Sequence, residues 1–379
     1  MQLPITDKLS SLREAYVAEG FDIYFVGGMV RDMLRGEQPK DIDMCTDANP
    51  DEQIAIYIKH GISYHETGLQ HGTITVVIEG VPYEITSLRT ETDHDGRHAT
   101  VSYTKDLLED LSRRDLTINA MAITFDGTLI DPYNGVEDLK NNIVRFVGVS
   151  EERIREDYLR ILRFYRFHAR YAGTTPVDQD AANAIIAAAE GLKGISRERV
   201  WMEMAKIVTH PNAVHTFRYM QEHGVFPHID LLEKPFHVLS RTNSTNPVTK
   251  MVSYLNHSEQ DVGELAAKWK WSSEERDLGI WLCRADPTTK TNCDFMWLLA
   301  HDEERIDWVR ELSKLVKQEA VFEDVVSNPI PKFPVRGQDL IDIGMKPGKD
   351  FGTRLRRMRA WWAANNYTMS KDELMAMEM

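Results

Sequence analysis

Five short segments of this 379-residue chain carry side chains that could act on phosphate esters. The first is Gly27-Gly28-Met29-Val30-Arg31-Asp32. Two glycines between a β-rich run and a short helix lack the Cβ atoms that would hold a phosphate off the backbone, and a helix start offers free N–H donors. Alone, such a pair is more often only a turn. The second segment is Lys40-Asp41-Ile42-Asp43. In an extended strand, residues i and i+2 share a face, so Asp41 and Asp43 would aim both carboxylates at one spot. A hard cation such as Mg²⁺ relieves that repulsion, although a solvated surface pair is the commoner fate. Third comes Glu84, an acid inside the apolar run Tyr83–Leu88. It either faces solvent or stands as a third carboxylate beside Asp41 and Asp43. Three acids around one or two Mg²⁺ ions are the equipment of phosphoryl and nucleotidyl transfer, with Asp41, Asp43 and Glu84 as the catalytic set and the two aspartates as metal ligands.

The fourth segment, Arg113-Arg114-Asp115-Leu116-Thr117-Ile118-Asn119-Ala120-Met121, has a charged start and an apolar body. Arg114 and Asp115 could be a helix-start ion pair. Alternatively, Arg114 meets phosphate or ribose oxygens, while Asp115 and Asn119, one helical turn apart, bond ribose hydroxyls. In the fifth, Arg153–Tyr171, helical spacing of Ile154, Tyr158, Ile161 and Tyr165 leaves Glu156, Asp157, Arg160, Arg163 and Arg166 on a polar face. Ion pairs at i,i+3 and i,i+4 account for such a face. An Asp and an Arg three residues apart can also address the Watson–Crick edge of a base, the Asp accepting from an exocyclic amine and the Arg donating to an acceptor.

The elements that must position these groups change in character along the chain. Residues 7–19 read as a helix capped by Thr6 or Asp7, Asp22–Val26 as a short strand, and Met29–Arg35 as a short helix. Thr73, Thr75 and Val77 alternate with Ile74, Val76 and Ile78, the pattern of a half-buried strand, and Tyr83–Leu88 continues as another. Ala120–Phe125, Asp126-Gly127 and Thr128–Ile130 form a hairpin. After about residue 150 only helices and loops follow: one helix over Arg153–Tyr171, then Asp180–Ala189, Ser196–Val208 and Ala213–Glu222, with a polar loop over Asn243–Thr249. The organisation is an α+β head followed by an all-α remainder.

Composition narrows the function classes. Hydrophobic residues at 42% and charged residues at 27% exclude a disordered chain or a fibre. No stretch reaches the roughly 18–20 apolar residues of a spanning helix, so no membrane partner is expected. Acids at Asp7, Glu14 and Glu19 and the lack of an apolar leader read as a cytoplasmic chain. Cys45, Cys283 and Cys293 are too far apart for a zinc spacing or a disulfide scaffold. The net charge of −14 hides two basic stretches. Residues 332–359 hold Lys332, Arg336, Lys346, Lys349, Arg354, Arg356, Arg357 and Arg359, and residues 153–170 hold six arginines. Nucleic-acid footprints are local, so the overall sign does not exclude one.

Taken in order, Gly-Gly-x-Val-Arg-Asp-x-Leu, Lys-Asp-Ile-Asp, Arg-Arg-Asp-x-Thr-Ile-Asn-Ala-Met and Arg-Glu-Asp-Tyr-Leu-Arg-Ile-Leu-Arg resemble the class II tRNA nucleotidyltransferases, of the tRNA nucleotidyltransferase/poly(A) polymerase family. The likeness runs from about Ile23 to Lys206, with Ser196–Glu203 matching a further motif and Val335–Gly348 resembling an RNA-gripping tail. His65–Thr73 resembles the CCA-adding pattern, and the basic segment of bacterial poly(A) polymerases is missing. Asp93–His98 resembles the mobile loop needed to add the terminal A. The resemblance implies an α+β nucleotidyltransferase head, a mixed β-sheet with helices, over 1–145. A helical neck over 146–222, a body over 223–328 and a tail over 329–379 would follow. The implied reaction adds C, C and A to the 3′ end of tRNA from CTP and ATP with Mg²⁺, without a stable protein partner. An enzyme adding only A, or a poly(A) polymerase, is the alternative, and a silent RNA-binding protein a more distant one. Gly27, Gly28, Arg31, Arg114, Asp115, Asn119, Asp157, Arg160, Arg163 and Arg166 would bind the nucleotide.

Overall fold

A seven-stranded mixed sheet organises the N-terminal part of the chain. In the computed structural model its strands lie in the spatial order Tyr64–His65, Thr73–Ile78, Val81–Ser87, Asp43–Thr46, Ile23–Val26, Ala122–Thr124 and Leu129–Ile130. The structure describes residues 6–39, 41–92, 100–285, 294–295, 298–299, 305–327, 331–346, 348–365 and 367–376. Two compact units result, Met1–Leu231 and Leu232–Met379.

In the first unit, α1 (Asp7–Ala18) starts where Thr6 Oγ1 accepts from the Leu9 amide at 3.2 Å. β1 (Ile23–Val26), α2 (Gly28–Leu34) and β2 (Asp43–Thr46) follow, then α3 (Pro50–His60), which opens on a capping box between Asn49 and Glu52. The remaining strands are β3 (Tyr64–His65), β4 (Thr73–Ile78), β5 (Val81–Ser87), β8 (Ala122–Thr124) and β9 (Leu129–Ile130). A separate hairpin of β6 (Arg89–Thr92) and β7 (Thr100–Tyr103) precedes α4 (Leu107–Ser112), and α5 (Gly135–Lys140) follows β9. The hairpin expected over 120–130 is the β8–β9 pair. Asp93–His98 and Lys40 lie outside the described residues.

β2 and β5 are parallel neighbours, whereas the other pairs in the large sheet are antiparallel. The register sets Asp43 beside Glu84. One face of the sheet buries Phe25, Met44, Ile74, Val76 and Ile85 with Leu9, Leu12, Tyr16 and Tyr57 of α1 and α3. Because side chains alternate, Asp43, Cys45, Glu84 and Thr86 are turned to the other face.

The helices of the neck region depart from expectation at one point. Arg153–Tyr171 is not a single helix: α6 (Ser150–Glu156) stops at Asp157, whose backbone is extended with φ −152° and ψ 107°, and α7 (Leu159–Phe167) starts afresh. Asp157 Oδ1 accepts from the Leu159 amide at 3.0 Å, so this acid caps the second helix instead of sitting within one. The Tyr158 ring lies on the backbone of Gly191, where an added Cβ would stand 2.1 Å from Cδ1, so only glycine admits it. A wide π-turn over His168–Ala172, then α8 (Gln179–Ala188), α9 (Arg197–Val208) and α10 (Ala213–Glu222), complete the unit.

The second unit is helical, with no strand among its described residues. It opens with α11 (Pro247–Tyr254), α12 (Glu259–Lys268) and α13 (Ser273–Arg284). The loop expected over Asn243–Thr249 ends early. Asn246 Oδ1 accepts from the amides of Val248 and Thr249, and Pro247 takes the first helical position, where a missing N–H costs nothing. Helices Ile306–Leu315 and Glu319–Ser327 bury Val309, Phe322 and Val325. Helices Gly337–Asp342, Lys349–Ala364 and Lys371–Met375 close over Leu340, Met358, Trp362 and Leu374. Among the described residues no helix is long and apolar enough to cross a membrane.

Candidate active site

The polar face of the sheet opens on a cavity of about 960 Å³, walled by β2 and β5, the Gly27-Gly28 turn, the segment 113–119, and helices α7 and α9. Ten arginine or lysine side chains line it against five carboxylates. A chain with an overall charge of −14 thus keeps a strongly cationic cavity, the environment that a triphosphate or an RNA backbone needs.

At its floor, Gly27 adopts φ +67° and ψ −128°, a conformation open to glycine. An added Cβ there would lie 3.2 Å from Arg114 Nη1 and 3.9 Å from Asp43 Oδ2; on Gly28 it would lie 3.4 Å from Arg31 Nη2 and 3.9 Å from the same Asp43 oxygen. Backbone, carboxylate and guanidinium therefore meet at one place. Burial holds the Asp43 carboxyl above the usual carboxylate range, and repulsion from Glu84 and Asp41 adds to it, against the pull of Arg114 and Arg31.

Asp41 is placed differently from the other two acids. It is exposed in a bend before β2, which begins only at Asp43, and it does not line the cavity. Asp41 therefore precedes the strand that carries Asp43, within electrostatic reach of it. The expected third acid, Glu84, does stand beside Asp43, one strand over. Among the described residues no group of three or more His, Cys, Asp or Glu is closed into a metal site. Two adjacent carboxylates, one of them raised by burial and then by the neighbouring like charge, still make a donor set suited to a hard divalent cation.

A buried polar chain braces the cavity. Arg31 donates from Nε to Asp32 at 3.0 Å and from Nη1 to Asn119 Oδ1 at 2.6 Å, and its guanidinium stands 4.7 Å and 5.3 Å from the ring centres of Tyr171 and Phe167. Asn119 Nδ2 donates to Asp115 Oδ1 at 3.1 Å, and Arg163 Nε donates to Asp115 Oδ2 at 2.8 Å. Burial raises the Asp115 carboxyl, but Arg163 and the Asn119 bond outweigh it, so the group ionises below the usual range. Asp110 follows the same logic between Arg114 and Arg113. Arg31, Asp115 and Asn119 thus border the cavity with much of their hydrogen-bonding capacity committed to one another.

On the helical wall, Asp157 Oδ2 accepts from Arg199 Nη2 at 2.7 Å. Arg160 donates from Nη1 to Glu156 and to the Arg153 carbonyl, and from Nη2 to the Arg113 carbonyl at 3.2 Å. Asp157 and Arg160 therefore pair with other groups, not with each other. Arg166 meets Glu203 at 3.1 Å and lies over the Phe167 ring. Reading the sequence for single motifs leaves out Arg170, Arg199, Lys206 and His210, all in the cavity wall. Their signal was present as a helical stripe, since Arg199, Glu203, Lys206 and His210 fall at i, i+4, i+7 and i+11.

A poly(A) polymerase head-domain model matches residues 23–145, and a model described as a probable RNA- and SrmB-binding site of polymerase A matches 176–231. The mouse mitochondrial CCA tRNA nucleotidyltransferase 1 is 38% identical over 98% of this chain and 89% of its own length. This chain belongs to the tRNA nucleotidyltransferase/poly(A) polymerase family. Within that family, the CCA-adding enzyme of Lactobacillus helveticus is 32% identical, covering 94% of this chain and 92% of its own. The Bacillus stearothermophilus CCA-adding enzyme, solved with CTP, superimposes with a TM-score of 0.80 at 27% identity, over 97% of this chain and 94% of that one. A Thermotoga maritima CCA-adding enzyme shares the fold, with a TM-score of 0.66 at 19% identity over 98% and 95% of the two chains. The tRNA nucleotidyltransferases work with a divalent metal, which the Asp43–Glu84 pair suits.

Proposed function

We propose that this tRNA nucleotidyltransferase adds C, C and A to the 3′ end of tRNA from CTP and ATP, without a nucleic acid template. The observation that carries the reading is one cavity that joins a carboxylate pair, a glycine backbone and a cationic wall. The 3′-hydroxyl of the tRNA attacks the α-phosphate; the new O3′–Pα bond forms as the bond from Pα to the bridging oxygen breaks, and that oxygen leaves with pyrophosphate. No side chain acts as a nucleophile.

Asp43 and Glu84, with Asp41 alongside, would hold Mg²⁺, which when bound lowers the pKa of the attacking hydroxyl and neutralises charge on the leaving oxygens. The bare Gly27-Gly28 backbone lets a phosphate approach, and Arg114 beside it supplies positive charge. Arg163 and Arg166 extend that charge along α7. Asp157, at the break before α7, accepts from the exocyclic amine common to C and A. Arg160 keeps one Nη2 hydrogen and its Nε–H outside the bonds to Glu156, Arg153 and Arg113, and these donate to the ring nitrogen. Residues 1–145 serve as catalytic head, 146–222 as base-reading neck, 223–328 as body and 329–379 as the tail that grips tRNA.

A cytoplasmic site of action is part of the proposal, and cell fractionation checks it against the mitochondrial location in the vertebrate relatives' names. The activity is tested by sequencing the 3′ ends formed on tRNAs that stop before the first C, before the second C and before A. Completion of all three to CCA supports the reading. Extension of the last substrate alone would make the protein an A-adding enzyme, and long A tails a poly(A) polymerase.

A further inference from the structure

Helices α7 and α9 face each other across a ladder of charge. Asp157 pairs with Arg199 at one rung and Arg166 with Glu203 at the next. Beyond Glu203 the stripe on α9 continues with Lys206, His210 follows two residues past the end of the helix, and the chain after α7 supplies Arg170. No acid on α9 answers these cations. Lys206 lies roughly 10 Å along the helix from Arg199, and its ammonium makes no ion pair or hydrogen bond among the described residues. Arg170 reaches Asp32 and Glu37 only at 3.4 Å and 3.5 Å and stays two-fifths exposed. His210 is half-buried; the Asn212 amide approaches its Nδ1 at 3.5 Å, which leaves Nε2 to carry the proton. All three side chains line the cavity.

We propose that Arg170, Lys206 and His210 form a phosphate-binding subsite, separate from the groups around Asp43, that holds a phosphate of either the RNA primer or the incoming nucleotide. This rests on the nucleotidyl-transfer reading of the same cavity. Two rungs of the ladder are neutralised internally; at the third, Lys206 has no acid partner among the described residues, and Arg170 has only its long contacts to Asp32 and Glu37. A lysine in the last turn of α9 is also favoured by the helix dipole, but that effect asks nothing of Arg170 or His210 and places no group in a cavity.

The test uses the full chain with Lys206→Glu, Lys206→Arg, His210→Gln and, as a control on an exposed lysine outside the cavity, Lys193→Glu. Three readouts separate the outcomes: tRNA affinity without nucleotide at several salt concentrations, KM for CTP and ATP, and inhibition by inorganic pyrophosphate. If the subsite takes primer phosphate, Lys206→Glu weakens tRNA binding about tenfold and lowers the salt slope by roughly 0.7, with nucleotide KM unchanged. If it takes the triphosphate, KM for both nucleotides and the pyrophosphate inhibition constant rise about tenfold, with tRNA affinity unchanged. In either case Lys206→Arg restores the wild-type value and His210→Gln shifts the same readout more weakly. The proposal is overturned if Lys206→Glu leaves all three readouts at the Lys193→Glu level, or if it lowers only the melting temperature, as a dipole role requires. Because Asp43 and Glu84 are untouched, loss of this subsite with CCA still formed at saturating substrate is distinguishable from failure of the catalytic reading itself.

Discussion

Substituting Asp157 tests how a protein without a template chooses its bases. The side chain does two separable things: Oδ1 caps α7 through the Leu159 amide, and Oδ2 pairs with Arg199. Asp157→Ala removes both. The cap contributes about 1 kcal/mol. The ion pair, with side chains 24% and 32% exposed, adds about 0.5 kcal/mol after screening. Together they lower the melting temperature by roughly 3–6 °C for a unit of this size. Asp157→Asn keeps a good cap and loses only the charge, so its melting temperature stays within roughly 2 °C of wild type. Fidelity divides the variants differently. A carboxylate accepts from the exocyclic amine of C or A and repels the carbonyl of U or G, whereas the Asn amide also donates to a carbonyl. A bidentate contact discriminates by about 1–3 kcal/mol, so both variants should lose roughly 5–150-fold of the preference for C and A, although only the Ala variant is less stable. The assay is competition of all four nucleotides for one tRNA lacking CCA, scored by sequencing its 3′ ends. Wild-type selectivity in both variants would refute base reading by this residue and leave Asp157 a helix cap.

Asp43→Ala should lower both C and A addition by at least ~10³-fold while tRNA affinity changes within a few-fold, measured by single-turnover kinetics and filter binding. The exposed arginines Arg356 and Arg357 on the helix Lys349–Ala364 should act on RNA alone: changing both to Glu weakens tRNA binding and its salt dependence and spares nucleotide KM. His168 is stacked on Phe164 and meets Tyr219 edge-to-face, and burial pushes its pKa down to about 4. Between pH 6.5 and 4 the unfolded chain takes up a proton that the folded protein refuses, so stability falls as pH drops through that window, by up to about 3 kcal/mol at its lower end. Urea unfolding at pH 7, 6 and 5 should show this loss in wild type and a flatter dependence in His168→Gln.

Local pattern was enough for many of the elements, though not for the single helix expected over Arg153–Tyr171, and it picked out residues that line one cavity. Alternation marked β4, the Asp-Gly turn marked the β8–β9 hairpin, and the Gly-Gly turn kept its place at the cavity floor because only glycine takes φ +67° with ψ −128° there. Gly27, Gly28, Asp43, Glu84, Arg114 and the arginines of α7 converge as their residue types suggested. What needed the tertiary structure were relations between distant segments. The parallel β2–β5 register that seats Asp43 beside Glu84 is set by strand order, which no local period encodes. Apolar spacing of 3.6 residues runs through Asp157 without a pause, yet the helix breaks there, because a carboxylate can cap the next helix and a tyrosine finds a glycine 33 residues further on. Partner choice was likewise decided by packing. Asp157 has Arg160 nearby in sequence, but α9 brings it Arg199; Arg31 has Asp32 beside it in sequence, but the fold adds Asn119 and two aromatic rings. Sequence spacing limits which groups can share a face, and the docking of helices onto a sheet determines which of them meet.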